Sequence, residues 1–269
     1  MAIDPLALVS KNADISQEGV QIGPYAIIEP GVKIGPRVRI WPHTYICSGT
    51  EIGEETQVHM GAVIGHLPQD LAFRGGASFL RIGKRNVIRE HATIHRGTEE
   101  GSCTIVGDDN YLMVSSHIGH NCEVGNKVII SNGALLAGYV KVEDQAFISG
   151  NVVIHQYCRI GRLAMVGGFS GVNKDVPPYM LIRGPSTVRA INLVGLRRAG
   201  LSRERIADIK EVFRLLYRSD FNFSQALSEI KMIKPSEEIS HLIRFIEDSK
   251  RGICHAERFN TASADDSEE

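Results

Sequence analysis

The sequence predicts a mainly β fold, a parallel β-helix of six-residue repeats followed by a small α-helical region, and three observations carry that prediction. First, aliphatic residues recur at six-residue intervals between Ile22 and Val172, interrupted by two gaps but without a slip of register. Second, the residue four positions later is usually small or compact, as at Ala26, Thr44, Thr56, Ala62, Ala92, Cys122, Ala134 and Ala164. Third, the six-residue pattern stops at Asp175-Val176-Pro177-Pro178, and apolar residues then recur at helical spacing. A period of six fits neither a helix nor a long strand and marks stacked coils, each made of short strands and corners.

The repeat runs through Ile22, Ile28, Ile34, Ile40, Ile46, Ile52, Val58 and Ile64, then Ile82, Ile88 and Ile94. It resumes from Val106 to Val172, giving 23 sites in all, each Ile, Val or Leu. Three six-residue units, about 18 residues together, close one triangular coil that advances roughly 4.8 Å, so the repeats predict a prism about 35 Å tall. Coils of the known hexapeptide class wind left-handed, an exception to the right-handed crossover rule. Glycine often follows the aliphatic, as at Gly23, Gly53, Gly107 and Gly119, where it is expected to supply the backbone freedom of a sharp corner.

Two gaps of 18 and 12 residues, Ile64 to Ile82 and Ile94 to Val106, keep the phase but lack the inward aliphatics. Residues 65–81 and 95–105 are therefore expected to be loops that leave the prism, and loops on a rigid scaffold commonly carry function. The β-helix is expected over 1–178, a helical domain over 179–255, and a disordered acidic tail over 256–269. Within the helical domain, Ser202 is an expected N-cap, and Ser224 to Met232 and Ser236 to Asp248 suggest two further helices. These helices would cover the open end of the prism.

Lys and Arg total 30 against 31 acidic residues, so no global field selects nucleic acid or an anionic membrane. No apolar run approaches the roughly 18 residues of a membrane span, and Met1 to Ser10 does not read as a signal peptide. The five cysteines are scattered without a CxxC pair, as expected of reduced, packed thiols in a cytoplasmic protein.

The polar residues in the middle of the prism carry the chemistry. His120 to Gly138 and Gly138 to Gln156 are 18 residues each, so the three stack on one corner. His117 and His155 fall within reach of that column. A histidine beside a glycine amide is a minimal acyl-transfer kit: the base takes the proton of an attacking hydroxyl, and the N–H stabilises the oxyanion. No phosphate-binding loop, GxSxG or HExxH motif occurs.

The string from Met113 to Asn126, with His117-Ile-Gly-His120, resembles the catalytic segment of the UDP-N-acetylglucosamine O-acyltransferase family. So do Gln69-Asp70-Leu71, Arg89 to Thr98, His155-Gln156-Tyr157-Cys158, Val166 to Gly171, Val176 to Tyr179 and Asn192 to Arg198. The likeness runs in order from about residue 3 to residue 250. It implies a cytoplasmic homotrimer that performs the first step of lipid A biosynthesis. An (R)-3-hydroxyacyl chain would pass from acyl carrier protein to the glucosamine 3-hydroxyl of UDP-N-acetylglucosamine. By resemblance His120 is the general base and the Gly138 N–H the oxyanion donor. Asp70, His117, His155 and Gln156 would contact substrate in a cleft between subunits, and Asn192 and Arg198 would reach the nucleotide. Gly168 matches the position that sets acyl length, where glycine implies a long chain, on the order of fourteen carbons by family analogy. The phosphopantetheine arrives with the substrate, so no metal or bound cofactor is implied.

The chain departs from the family pattern at four positions around the sugar. Asn121 replaces an aspartate and can accept the same hydrogen bond without the charge. Ala72 replaces a lysine, with Arg74 nearby; Tyr139 replaces a histidine; and Val194 replaces an acidic residue. Some relatives acylate a 3-amino sugar, which is the alternative acceptor. A trimeric metal enzyme of the carbonic anhydrase type is the alternative of another class, but His117-x-x-His120 differs from its ligand spacing. The sister N-acyltransferase carries an extra N-terminal domain, whereas repeats here begin by Ile22. Acyl carrier protein is acidic, and Arg159, Arg162 and Arg183 are candidates for a local basic patch. Trp41 is expected at a subunit contact.

Overall fold

Inward-pointing aliphatics at a fixed interval can stack only if the strands that carry them lie directly above one another, and the computed structural model, which describes residues 1–256, is built that way. Two-residue strands pair in parallel with partners one coil away, as in His117↔Leu135 and Ile118↔Leu136. Three sheets result, of 12, nine and eight strands, and they form the faces of a triangular prism. The stacked aliphatics fill its axis, with Ile46, Ile64, Ile88, Ile94, Leu112, Ile130 and Leu136 at 0% exposure. Each such side chain contributes roughly 1.5–3 kcal/mol by leaving water.

The corners correct the expectation about glycine. The left-handed backbone falls three residues after most of the aliphatics, at Tyr25, Arg37, Asn121, Tyr139, Tyr157 and others with φ between 53° and 64°. Most of these are not glycine. The glycines directly after the aliphatics answer instead to close approach between coils. A Cβ on Gly53 would lie 2.5 Å from the Gly83 carbonyl oxygen, and one on Gly107 would lie 2.6 Å from that of Gly125.

The prism also begins earlier than the repeat. Ala2–Ile3, Leu8–Val9 and Asp14–Ile15 form a first coil, paired with Gln21–Ile22, Ile27–Ile28 and Lys33–Ile34. It escapes the six-residue phase because Ile15 and Ile22 are seven residues apart. The loops are shorter than 65–81 and 95–105. Val63–His66, Phe79–Ile82, Thr93–His95 and Cys103–Val106 are strands of the prism, leaving excursions over 67–78 and 96–102. The two loops brace each other: Gly101 N donates to Ala77 O at 2.7 Å, and Ala77 N donates to Glu100 Oε2 at 2.8 Å.

Strand pairing continues past residue 178. Met180–Ile182 adds to the first face beside Met165–Val166, and Thr187–Ile191 turns back antiparallel on it. Helices α1 (Leu193–Arg198), α2 (Arg203–Tyr217), α3 (Phe223–Met232) and α4 (Glu237–Glu247) follow. Ser202, Asn222 and Ser236 cap the last three through their side chains. The chain then returns to the prism, where His255–Ala256 pairs with Thr187–Val188. Of the tail expected to be disordered, Ala256 belongs to this strand, and 257–269 lie outside the described residues. Among the described residues no helix is long and apolar enough to cross a membrane.

Candidate active site

The corner between the second and third faces collects the chemistry. In each coil the residue two places after the second-face aliphatic lies on this corner, which stacks His120, Gly138 and Gln156. The contact between the first two is close. A Cβ on Gly138 would stand 2.5 Å from both Cε1 and Nε2 of His120, so only glycine leaves room for the ring. Ala137 N and Tyr139 N donate to the Ile154 and His120 carbonyls, while Gly138 N–H has no acceptor among the described residues. An imidazole and an unengaged amide therefore adjoin at one point.

His120 is 8% exposed and held on its Nδ1 side. Nδ1 lies 2.7 Å from Thr98 Oγ1 and 3.0 Å from Asn121 Oδ1. Nε2 is the open edge, with Asp70 Oδ2 3.7 Å away. Asp70 is presented by the first loop, where its Oδ1 accepts from Ala72 N at 2.8 Å and fixes a tight turn. Arg74, the expected substitute for the missing lysine, donates instead to the Leu71 carbonyl at 2.7 Å.

A row of imidazoles continues along the second face. The His117 and His95 rings meet edge to face at 4.8 Å, and His66 lies 6.4 Å beyond His95. His117 Nδ1 is 2.7 Å from Thr93 Oγ1. Burial pushes the His95 pKa down to about 4, with His117 adding to the effect, so His95 is neutral near pH 7. Burial first, then His120, also lowers His117. Among the described residues no three His, Cys, Asp or Glu side chains are grouped to hold a metal ion.

Asp70, His117, His120 and Gly138 converge on this corner, with His155 and Gln156 exposed one coil further along it. Gly168, Asn192 and Arg198 do not join them. Gly168 lies at the other edge of the second face, on the corner with the first. A Cβ there would make only ordinary contacts, with Gly150 O at 3.4 Å and Ser149 Oγ at 3.5 Å, so a methyl group would fit without displacing a neighbour. Asn192 and Arg198 line a groove of about 440 Å³ on the first face, with Lys127, Phe147 and Met165. The Asn192 side chain is already engaged. Its Oδ1 accepts from Gly195 N at 3.0 Å to cap α1, and its Nδ2 donates to Leu163 O at 2.8 Å. Asn192 thus shapes the groove while its amide holds the turn into α1, and Lys127 and exposed Arg198 are the charged groups there.

The basic candidates also divide. Arg159 stacks on Phe245 at 4.0 Å, Arg162 pairs with Glu237 at 2.9 Å, and Arg183 is exposed. Trp41 stacks on His59 at 4.3 Å. Sequence reasoning gave no role to Thr98 or Glu99, both in the second loop. Their only signal was position, inside an interruption of the repeat next to the histidine column.

Comparison with known proteins follows this geometry. The family model described as UDP N-acetylglucosamine O-acyltransferase, domain 2, matches residues 175–254, and the bacterial transferase hexapeptide model matches 17–48 and 103–138. An acyl-(acyl-carrier-protein)–UDP-N-acetylglucosamine O-acyltransferase of Alkalilimnicola ehrlichii is 47% identical over 254 residues, covering 93% of this chain and 98% of the relative. One from Synechocystis is 48% identical over 194 residues, covering 72% and 70%. The crystal structure of the Francisella novicida UDP-N-acetylglucosamine acyltransferase superposes with a TM-score of 0.90 at 38% identity, covering 94% of each chain. The shared fold is a left-handed parallel β-helix with C-terminal helices.

Proposed function

The chain belongs to the UDP-N-acetylglucosamine O-acyltransferase family, and we propose that His120 and the Gly138 amide carry out its reaction. The enzyme transfers an acyl chain from acyl carrier protein to UDP-N-acetylglucosamine, the first step of lipid A biosynthesis. The names of its relatives do not favour the 3-amino acceptor or the metal-dependent enzyme considered from the sequence.

In the proposed mechanism, His120 Nε2 takes the proton of the sugar 3-hydroxyl as its oxygen attacks the thioester carbonyl of an (R)-3-hydroxyacyl donor. The carbonyl oxygen becomes an oxyanion and accepts the Gly138 N–H. Collapse of the tetrahedral intermediate breaks the carbon–sulfur bond, and the imidazolium returns its proton to the departing thiolate. The products are the 3-O-acyl sugar nucleotide and the free thiol of the carrier. Asp70, His117, His155 and Gln156 would line the acceptor and thioester.

The observation that carries this reading is the fit of the His120 ring against Gly138, a residue whose N–H has no acceptor among the described residues.

The remaining expected residues support a homotrimer. Gly168 and the Asn192–Arg198 groove stand on other edges of the prism than His120, so one chain cannot apply all of them to one small substrate. In a cyclic trimer, the His120 corner of one subunit would face the Gly168 corner and nucleotide groove of the next. Leu71 and Phe169, 99% and 83% exposed beside these two corners, suit such an interface. An acidic carrier protein would approach along Arg159 and Arg183, in the cytoplasm.

Incubation of the enzyme with UDP-N-acetylglucosamine and 3-hydroxyacyl carrier proteins of graded length tests the reading by mass spectrometry. The expected product is a 3-O-ester, formed fastest with long donors because Gly168 adds no side chain at the position that matches the family's determinant of acyl length. Absence of ester, or a clear preference for short donors, would overturn the corresponding part.

A further inference from the structure

Base chemistry at His120 Nε2 requires that the neutral ring carry its proton on Nδ1. Of the two oxygens facing Nδ1, the Thr98 hydroxyl can donate or accept and so does not choose the tautomer. The Asn121 amide chooses only if its oxygen faces the ring, and its orientation is set from two sides. Thr98 N–H donates to Asn121 Oδ1 at 3.0 Å, while Asn121 Nδ2 donates to Glu99 Oε2 at 3.1 Å. A carboxylate accepts but cannot donate, so the amide cannot flip without losing both bonds. The other Glu99 oxygen accepts from the Tyr139 hydroxyl. The Tyr139 ring returns to His120, edge to face at 5.2 Å, and is backed by Tyr157, stacked at 4.7 Å.

We propose that Glu99 and Tyr139 are positioning residues that hold the Asn121 oxygen toward His120 and so set the Nδ1-protonated tautomer of the base. The proposal rests on the reading of His120 as that base. The Tyr139 hydroxyl, chiefly, holds the Glu99 carboxyl below its usual range, which keeps it ionised and acceptor-only at neutral pH. Burial first, and Glu99 next, raise the Tyr139 phenol, which keeps it a donor. The need for the device is visible on the opposite edge of the ring. Asp70 Oδ2, 3.7 Å from Nε2, draws the proton toward the wrong nitrogen. A neutral Asn121 opposes that pull only while its amide is held in one orientation.

Nitrogen-15 NMR of histidine-labelled enzyme reads the tautomer directly, with the His120 signals assigned by their loss in His120→Ala. The wild-type ring is expected to be Nδ1-protonated. In Glu99→Gln the new amide can donate, Asn121 is freed to flip, and a measurable share of the ring shifts to Nε2–H. The kcat then falls on the order of tenfold with each KM changed less than about twofold, since a complete tautomer error in a serine protease costs far more. Tyr139→Phe is expected to act in the same direction and less strongly. Asn121→Asp accepts in either orientation, so adding it to Glu99→Gln restores the Nδ1–H tautomer. An unchanged tautomer in Glu99→Gln, or no restoration in the double variant, would overturn the proposal. Full turnover by His120→Ala would instead remove the underlying assignment of the base, and the NMR result would separate the two failures.

Discussion

Replacing His120 with alanine is expected to lower kcat by about 10²–10⁴-fold, the usual contribution of a positioned general base. The loss should fall on kcat, because the imidazole does its work as the hydroxyl proton leaves and because ground-state binding would rest on the surrounding side chains. Folding should survive, since His120 occupies a corner and the aliphatic axis beside it is untouched. Steady-state kinetics with circular dichroism on the same preparation check both points. Turnover within threefold of wild type by a folded variant would remove the histidine from the chemistry.

Gly138→Ala is expected to be nearly as damaging although it adds one methyl group. The new Cβ would fall 2.5 Å from His120 Cε1 and Nε2, well inside van der Waals contact, so the ring must leave its place. The displaced ring would lose its alignment to Thr98 and Asn121, and it would crowd the space in front of the Gly138 N–H. Loss of an oxyanion donor alone costs about 10²–10³-fold in kcat, and misplacing the base adds to it. The backbone at Gly138 has no positive φ, so alanine is conformationally tolerated there. A single-turnover rate near that of wild type would contradict the contact.

The fold was legible because it is written in side-chain volume. One aliphatic per six residues has a single geometrical use, and the structure buries those from Ile22 to Val172 on one axis. The first coil lies inside the expected span of 1–178 but outside the counted repeat for the same reason: the seven-residue step from Ile15 to Ile22 breaks the count, yet hydrogen-bonded pairing tolerates one extra corner residue. The loops read too long because period alone cannot tell an outward strand residue from a loop residue. Phe79–Ile82 keeps only part of the pattern and still pairs along its length with Cys103–Val106.

The site was legible where it follows the coil and obscure where it does not. The 18-residue spacing stacks His120 and Gly138 because the corner repeats. Thr98 and Glu99 reach the same corner along a loop whose path no periodicity specifies, held through Gly97 N to Phe79 O at 3.2 Å and Gly101 N to Ala77 O at 2.7 Å. Asn192 shows a second kind of use that periodicity does not give. Its helix-capping bond to Gly195 N is a local use that a resemblance does not reveal.

The central claim is that one coil sets the base against the amide directly beneath it, and a double-variant cycle tests that contact most directly. If Gly138→Ala acts by displacing the His120 ring, its penalty must shrink once the ring is gone. Single-turnover rates should therefore show a large loss for Gly138→Ala in the wild-type background and a much smaller further loss in His120→Ala, the non-additivity expected of groups that act as a unit. An equal penalty in both backgrounds would show that the two residues act independently, and would contradict the account.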